Sequence, residues 1–135
     1  MKELVERYRL APHPEGGWYR ETYRAPRTVP GTDRSVCTAI LYFLAAGQRS
    51  RLHRIDADEL WHFYRGDPLE LSLEWQDGRR AVHVVGPDVA SGHAPQVAVE
   101  AGVWQSARPL GRYSLVGATV TPAFTFEGFE LRGKR

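Results

Sequence analysis

The most informative segment of the sequence is Gly47-Gln-Arg-Ser-Arg-Leu-His53-Arg-Ile55-Asp-Ala-Asp-Glu59-Leu-Trp-His62-Phe-Tyr-Arg-Gly66. Residues two apart on a β-strand point to the same side, so His53 and Ile55 should face one interior. The turn over residues 56–58 should then return the chain, so that Glu59 lies on the neighbouring strand. The stretch therefore predicts an imidazole and a carboxylate that converge between two adjoining strands.

The sequence on both sides of this stretch is typical of further short strands separated by turns. Residues 69–76 alternate between apolar and polar side chains, and Asp77-Gly78 then gives a tight hairpin signal. Other strands are expected at residues 17–24, 36–44, 79–85, 96–100, 103–107, 112–121 and 124–131. A short amphipathic helix is expected over residues 2–10, followed by a stretch at residues 11–17 whose prolines and glycines exclude regular structure. Roughly nine strands in this arrangement predict an all-β sandwich or barrel.

Composition limits the classes of function. The chain has 135 residues, 42% hydrophobic and 25% charged, with a net charge of +2, which predicts a single domain over residues 1–135. No apolar run approaches the roughly 18 to 20 residues that cross a bilayer. The charged first ten residues lack a secretory leader, so we expect a cytoplasmic protein that does not bind membranes. Arginines and carboxylates alternate without a basic block, which argues against nucleic acid as a partner.

The spacing of the segment at residues 47–66 resembles the first motif of the cupin superfamily, G(X)5HXH(X)3-4E(X)6G, with Ile55 in the place of the second histidine. The segment from Glu100 to Gln105 is similar to the core of the second motif, with Gln105 in the place of its histidine. Together with His13-Pro-Glu-Gly-Gly-Trp-Tyr19 and Thr121-Pro-Ala-Phe-Thr-Phe-Glu-Gly-Phe-Glu130, these segments resemble the DUF985, or cupin-5, family. The resemblance implies a double-stranded β-helix, the cupin jelly-roll barrel, usually a homodimer with a small-molecule pocket. A barrel of this size has open sheet edges, and we expect aromatic side chains such as Trp18 and Tyr23 to cover them through a partner, which also favours a homodimer.

The same resemblance raises the question of a metal. A typical cupin site has three histidines and one glutamate, but here only His53 and Glu59 remain, with a weak amide ligand from Gln105 if a divalent metal binds. Two firm ligands rarely hold a transition metal. Alternation from Glu59 should place Trp61 inward and His62 outward, so His62 should not complete the set. We therefore predict no cofactor with confidence, and a metal-dependent cupin enzyme stays an alternative.

Without a metal, His53 and Glu59 could act together as a catalytic acid–base pair, because a carboxylate near an imidazole raises its basicity and fixes its tautomer. The metal-free nucleotide-sugar 3,5-epimerases are cupins that use a histidine base, a carboxylate partner and a tyrosine acid. The sequence is similar to them in having Arg51-Leu52-His53 on the pocket-facing strand, although their arginine lies one residue further upstream. The residues expected to contact the ligand are Glu15, Tyr19, Tyr42, Arg51, Trp104 and Gln105. Whether Tyr19, Tyr42 or Tyr113 faces the cavity stays open.

The leading hypothesis is a metal-independent isomerase or epimerase for a sugar-like or other small polar substrate, with an arginine such as Arg51 holding an anionic group. The alternative is a metabolite-binding module without catalysis. His53 could also be an ordinary core histidine, and Glu59 could simply pair with Arg51 or Arg20.

Overall fold

The computed structural model describes residues 2–132. One α-helix precedes eleven β-strands, and a 3-10 turn at Val89–Ser91 interrupts the strand series. The elements are α1 (Lys2–Arg7), β1 (Ala11–Pro12), β2 (Trp18–Arg24), β3 (Thr38–Ala45), β4 (Ser50–Ile55), β5 (Asp58–Gly66), β6 (Leu69–Glu74), β7 (Arg80–Val85), β8 (Gln96–Val99), β9 (Trp104–Pro109), β10 (Tyr113–Thr121) and β11 (Phe129–Leu131). The all-β prediction with a short N-terminal helix is confirmed.

The strands form two antiparallel sheets that face each other. The six-stranded sheet has the order β1-β2-β3-β10-β5-β8, and the five-stranded sheet has the order β11-β4-β9-β6-β7. Strands β4 and β5 are consecutive in the chain but belong to opposite sheets, because the turn at residues 56 and 57 carries the chain across. His53 and Glu59 therefore approach each other from opposite walls of the barrel.

The two sheets enclose the main core. On β6, Leu69, Leu71 and Leu73 are buried while the residues between them are less so, which confirms the predicted alternation. These leucines pack with Tyr42 and Trp61 from the opposite sheet. The same two aromatic side chains also form the wall of a cavity beside the core, so the packed part of the barrel defines one boundary of the hollow part.

A second apolar cluster lies on the outer face of the six-stranded sheet. Leu4 of α1 packs there with Phe43 and Leu115, and Trp18 is partly buried against them. Trp18 therefore contributes to intramolecular packing and is not free to cover a sheet edge through a partner. The helix ends at Arg7, earlier than expected, and among residues 2–132 no helix is long and apolar enough to span a membrane.

Two sequence predictions about strands were wrong. Residues 11 and 12 form a short edge strand, with Ala11 opposite Tyr19 and Pro12 opposite Trp18. A proline is tolerated there because an edge strand leaves one side of its backbone unpaired. Conversely, the strand expected over residues 124–131 begins only at Phe129. The residues before it form a loop that lies against the cavity.

Candidate active site in the barrel cavity

The barrel encloses a cavity of about 500 Å³ between its two sheets. Its lining combines titratable side chains with an apolar and aromatic wall, as is usual for small-molecule sites. The lining residues are His13, Glu15, Tyr19, Glu21, Arg24, Thr38, Ile40, Tyr42, His53, Ile55, Glu59, Trp61, Ala118, Val120, Phe124, Thr125, Phe126 and Glu127. The cavity thus contains the predicted residues Glu15, Tyr19, Tyr42, His53 and Glu59.

A tight turn between β1 and β2 delivers Glu15 to the cavity. The amide of His13 donates to the carbonyl of Gly17 at 2.9 Å, which closes the turn. Gly16 has φ +115°, and a Cβ on it would lie 2.1 Å from the carbonyl oxygen of Arg49. Only glycine fits this position, because other residues are strained at positive φ and a side chain would collide with backbone. The turn holds the Glu15 carboxyl inside, where it accepts a hydrogen bond from the Ser50 hydroxyl.

Glu15 is the carboxylate partner of His53. Nε2 of His53 lies 3.3 Å from Oε1 of Glu15, and both side chains are buried. Nδ1 of His53 lies 2.8 Å from the carbonyl oxygen of Arg51. Since a carbonyl only accepts, Nδ1 carries a proton, and Nε2 is the nitrogen that faces the Glu15 carboxyl. His53 and Glu15 therefore form a buried imidazole–carboxyl pair. The sequence predicts Glu59 as the partner of His53, but within residues 2–132 the ion-pair contact of His53 is with Glu15.

A bulge explains why Arg51 does not join His53 in the cavity. The pairing of β4 with β9 shifts by one residue between Ser50 and His53, so both of these side chains point inward although they are three residues apart. Arg51 is left exposed outside the cavity, where its guanidinium donates to the carbonyl of Pro14 at 2.8 Å. The expectation that Arg51 holds an anionic ligand group is therefore not supported.

Glu59 is fixed by a chain of two hydrogen bonds. The indole N–H of Trp61 donates to Oε1 of Gln105 at 2.8 Å, and Nε2 of Gln105 donates to Oε1 of Glu59 at 2.9 Å. An indole only donates, so the orientation of the Gln105 amide is determined by Trp61. Gln105 is completely buried and lies behind Glu59, not on the cavity surface. In contrast to the prediction that Gln105 contacts the ligand, Gln105 holds the Glu59 carboxyl in position from behind.

The surroundings of Glu59 change its acidity. Burial raises its pKa to about 7, and the nearby Glu15 carboxylate acts in the same direction. His53 and the hydrogen bond from Gln105 oppose this rise without cancelling it. Near neutral pH the cavity therefore contains a carboxyl that can release or accept a proton. None of the arginines that the sequence suggested as partners for Glu59 forms an ion pair with it within residues 2–132.

The structure shows which of the three candidate tyrosines face the cavity. Tyr19 and Tyr42 line the cavity, whereas Tyr113 stacks on Phe43 in the outer apolar cluster. The Tyr42 hydroxyl donates to the carbonyl of Gly16 and thereby secures the turn that carries Glu15. Burial raises the pKa of Tyr42 well above its ordinary value, with a further contribution from the Glu15 carboxylate. Tyr42 therefore keeps its proton.

His13 is a site residue that the sequence reasoning missed. Its ring lies edge-on to Tyr19, with 4.5 Å between the ring centroids. Nδ1 of His13 accepts a hydrogen bond from the backbone amide of Glu15 at 3.1 Å, and burial lowers its pKa. The ring is therefore neutral near pH 7, with its proton on Nε2. The position of His13, two residues before Glu15 in a turn that the sequence places at the pocket, is the sequence feature that could have identified it.

Two other predicted features lie outside the cavity. The guanidinium groups of Arg54 and Arg132 lie 4.6 and 4.9 Å from the centroid of the Trp104 ring, and Trp104 is not a lining residue. The expectation that Trp104 binds ligand is thereby corrected, because β9 turns Gln105 inward and its neighbour outward. His62 likewise faces away from the cavity, as predicted, with Nε2 2.6 Å from the hydroxyl of Thr119.

Comparison with known proteins identifies the family. Residues 2–132 match the family model Cupin_5, described as cupin superfamily (DUF985). The chain belongs to this family. It is 34% identical to protein SO0799 of Shewanella oneidensis, with a TM-score of 0.91 over 96% of this chain and 82% of that one. It is 25% identical to the uncharacterized protein YML079W of Saccharomyces cerevisiae over 94% of this chain and 72% of that one.

A more distant cupin supports the fold alone. Oxalate decarboxylase of Bacillus subtilis shares 15% identity with a TM-score of 0.67, over 90% of this chain and 29% of that one. The predicted cupin jelly roll is thus confirmed.

The usual cupin metal-binding set does not fit this cavity. Ile55, in the place of the second histidine, is a buried apolar side chain on the cavity wall. Gln105, in the place of the third, has its amide oxygen committed to the Trp61 indole. Within residues 2–132, no group of three or more His, Cys, Asp or Glu side chains is arranged to hold a metal ion. The residues at the usual ligand positions therefore do not form a cupin metal site.

Proposed function

We propose that this cupin is a metal-independent acid–base catalyst of the isomerase or epimerase type, acting on a small polar ligand. One observation carries the proposal: the buried pair of His53 and Glu15, 3.3 Å apart, and the carboxyl of Glu59, with its pKa of about 7, line the same cavity. Groups whose environments give them different proton affinities can serve as a base and an acid in one reaction.

The proposed step moves protons only, so it needs no redox partner. The His53–Glu15 pair removes a proton from a ligand carbon next to a carbonyl, and the electrons of the broken C–H bond form an enolate. Protonated Glu59 donates to the enolate oxygen and becomes a carboxylate. The His53–Glu15 pair then returns a proton to carbon, and the enol O–H proton goes back to Glu59 as the carbonyl re-forms, which completes the isomerisation. Because Nε2 of His53 lies against Oε1 of Glu15, the two residues act as one base.

The size and lining of the cavity suit a ligand of monosaccharide dimensions. Its volume of about 500 Å³ lies within the range of roughly 300 to 1,000 Å³ that is usual for small-molecule pockets. Thr38, Tyr19 and the proton on Nε2 of His13 supply polar groups around the apolar wall. A polyhydroxy ligand with one carbonyl would use both kinds of surface.

The arrangement around Tyr42 favours a second candidate, a metabolite-binding module without catalysis. The epimerases to which the sequence is similar use a tyrosine as the acid, but the Tyr42 proton is committed to the carbonyl of Gly16. A barrel whose phenol is occupied in this way could hold a ligand without converting it. In that case a ligand would raise the melting temperature and be recovered unchanged.

Proton exchange tests the proposal directly. The protein is incubated with small aldoses, ketoses and uronates in deuterated water at about pH 7, and deuterium at carbons next to the carbonyl is followed by NMR. We expect His53→Gln and Glu15→Gln each to reduce exchange by on the order of 100-fold, and the double variant to lose little more, since the two act as a unit.

His62→Gln is the matched control, because His62 is a histidine of the same barrel that faces outward. Exchange should be unchanged in this variant. Exchange that persists in both His53→Gln and Glu15→Gln would remove the proposed base. Ligands that bind without any exchange would favour the binding module.

A further inference from the structure

Charged and phenylalanine side chains line the open end of the cavity. We define the mouth as Glu21, Arg24, Phe124, Phe126 and Glu127, which line the cavity at or near the surface. The Phe126 side chain is 55% exposed although it belongs to the lining. Its ring lies perpendicular to that of Phe124, with 4.9 Å between centroids. An exposed phenylalanine at the entrance of a polar cavity offers a ligand an aromatic face.

The one arginine of the mouth is already committed. Nε and Nη2 of Arg24 donate to the two carboxyl oxygens of Glu21, each at 2.9 Å. This two-point pairing satisfies the fork geometry of the guanidinium and cancels its charge. Glu127, in contrast, is exposed and has no ion-pair partner within residues 2–132. The mouth as a whole is therefore negative.

The interior does not compensate this charge. Besides two tyrosines, its ionisable residues are two carboxyls, Glu15 and Glu59, and two histidines, His13 and His53. His13 is neutral near pH 7, and the imidazole of His53 already faces the Glu15 carboxyl at 3.3 Å, so it is not free to pair with a ligand anion. Glu59 adds a negative charge as it ionises. Within residues 2–132, no cation of the lining is free to receive a carboxylate or phosphate, and burying an unpaired anion there would be costly.

We infer that the ligand carries a cationic group, a protonated amine or a quaternary ammonium, which binds at the mouth between the face of Phe126 and the carboxylate of Glu127. Cations bind aromatic faces through the ring quadrupole, and a carboxylate beside the ring strengthens the attraction. The inference rests on the proposed function, since it concerns the ligand of the same cavity. It changes the expected substrate class from anionic sugars to amino sugars and other small amines.

Matched ligands that differ only in charge test the inference. D-glucosamine, D-glucose and D-glucuronate form one series, and phenethylamine, 2-phenylethanol and phenylacetate form another. Binding to the full chain is measured by titration at about pH 6.5, where these amines are protonated. We expect the amine to bind about tenfold more tightly than the anion in at least one series, and the difference to shrink with added salt. An anion that binds as tightly as its amine, or no binding in either series, would overturn the inference.

Three variants locate the charge. Glu127→Gln should weaken amine binding about two- to fivefold, whereas Glu130→Gln should not, because Glu130 pairs with Arg54 outside the cavity. Arg24→Gln should strengthen amine binding by a similar factor, since it frees the Glu21 carboxylate. If Arg24 instead held an anionic ligand, the same variant would abolish binding of D-glucuronate and leave the amine unaffected.

The result of this binding test can be distinguished from the result of the proton-exchange test of the proposed function. Amine-selective binding without proton exchange would support this inference and refute the catalytic proposal. His53-dependent exchange in D-glucuronate, with no preference for amines, would do the reverse.

Discussion

Replacing Glu59 with glutamine should remove the pH dependence that the buried carboxyl gives to the free energy of unfolding. Glu59 lies on β5 with its Oε1 accepting from Gln105, and burial raises its pKa from 4.5 to about 7. An amide has the shape of the protonated carboxyl, and its oxygen can accept the same hydrogen bond. Glu59→Gln therefore keeps the packing and removes the titration.

The sign of the effect follows from which state holds the proton. Between pH 4.5 and about 7 the folded protein keeps a proton on Glu59 that the unfolded chain has released. Stability contributed by this group is therefore complete below pH 4.5 and is lost as the pH rises through about 7. Each pKa unit corresponds to about 1.4 kcal/mol, so the rise from 4.5 to about 7 corresponds to about 3 kcal/mol. For a domain of this size that is roughly 10 °C in melting temperature.

Urea unfolding of wild type and Glu59→Gln at several pH values between about 4.5 and 8 measures the effect. The free energy of unfolding of the variant, relative to wild type, should rise by about 3 kcal/mol across this range. Glu100→Gln is the control, because Glu100 is exposed and its substitution should leave the difference flat. If the curves of wild type and Glu59→Gln run parallel within about 0.5 kcal/mol, the carboxyl titrates normally and the acid role proposed for it fails.

Two further predictions concern the turn and the outer sheet face. Gly16→Ala should lower the free energy of unfolding by more than about 1 kcal/mol and weaken ligand binding. The reason is that the new Cβ would collide with the carbonyl oxygen of Arg49. An unchanged free energy of unfolding and unchanged ligand affinity would show that the turn is not constrained. We propose that two copies pair through the outer face of the six-stranded sheet, where Tyr23 and Tyr64 are 53% and 55% exposed and the buried Nε of Arg20 has no hydrogen-bond partner among residues 2–132. Sedimentation should give the dimer mass for wild type and the monomer mass for Tyr64→Lys, and a monomeric wild type would refute the pairing.

The sequence was sufficient wherever strand alternation alone determines direction. The leucines of β6 face the core because their spacing is two, and His53 and Ile55 share the cavity wall for the same reason. Glu59 was also found from sequence, since a short turn returns the chain directly onto β5. These inferences need only local geometry.

Inference from sequence failed where an irregularity or a distant segment determines the geometry. One extra residue in β4 turns Ser50 inward and Arg51 outward, and no local sequence pattern predicts that bulge. Glu15 reaches His53 across 38 positions of the chain through a glycine turn, whereas proximity in the sequence indicates Glu59 as the partner. Phe124 and Phe126 alternate as strand residues do, yet they lie in a loop at the mouth.

The two positions that depart from the cupin metal set also account for the acidity of Glu59. A divalent cation beside a carboxyl favours its ionised form, whereas Ile55 supplies only apolar surface and Gln105 donates a single hydrogen bond. Burial then outweighs that hydrogen bond and the attraction of His53, and the pKa rises to about 7. The substitutions that remove two would-be ligands therefore leave the remaining glutamate suited to proton transfer. Gln105→Leu tests this step, because loss of its hydrogen bond should raise the pKa of Glu59 further and move the midpoint of the pH-dependent stability upward.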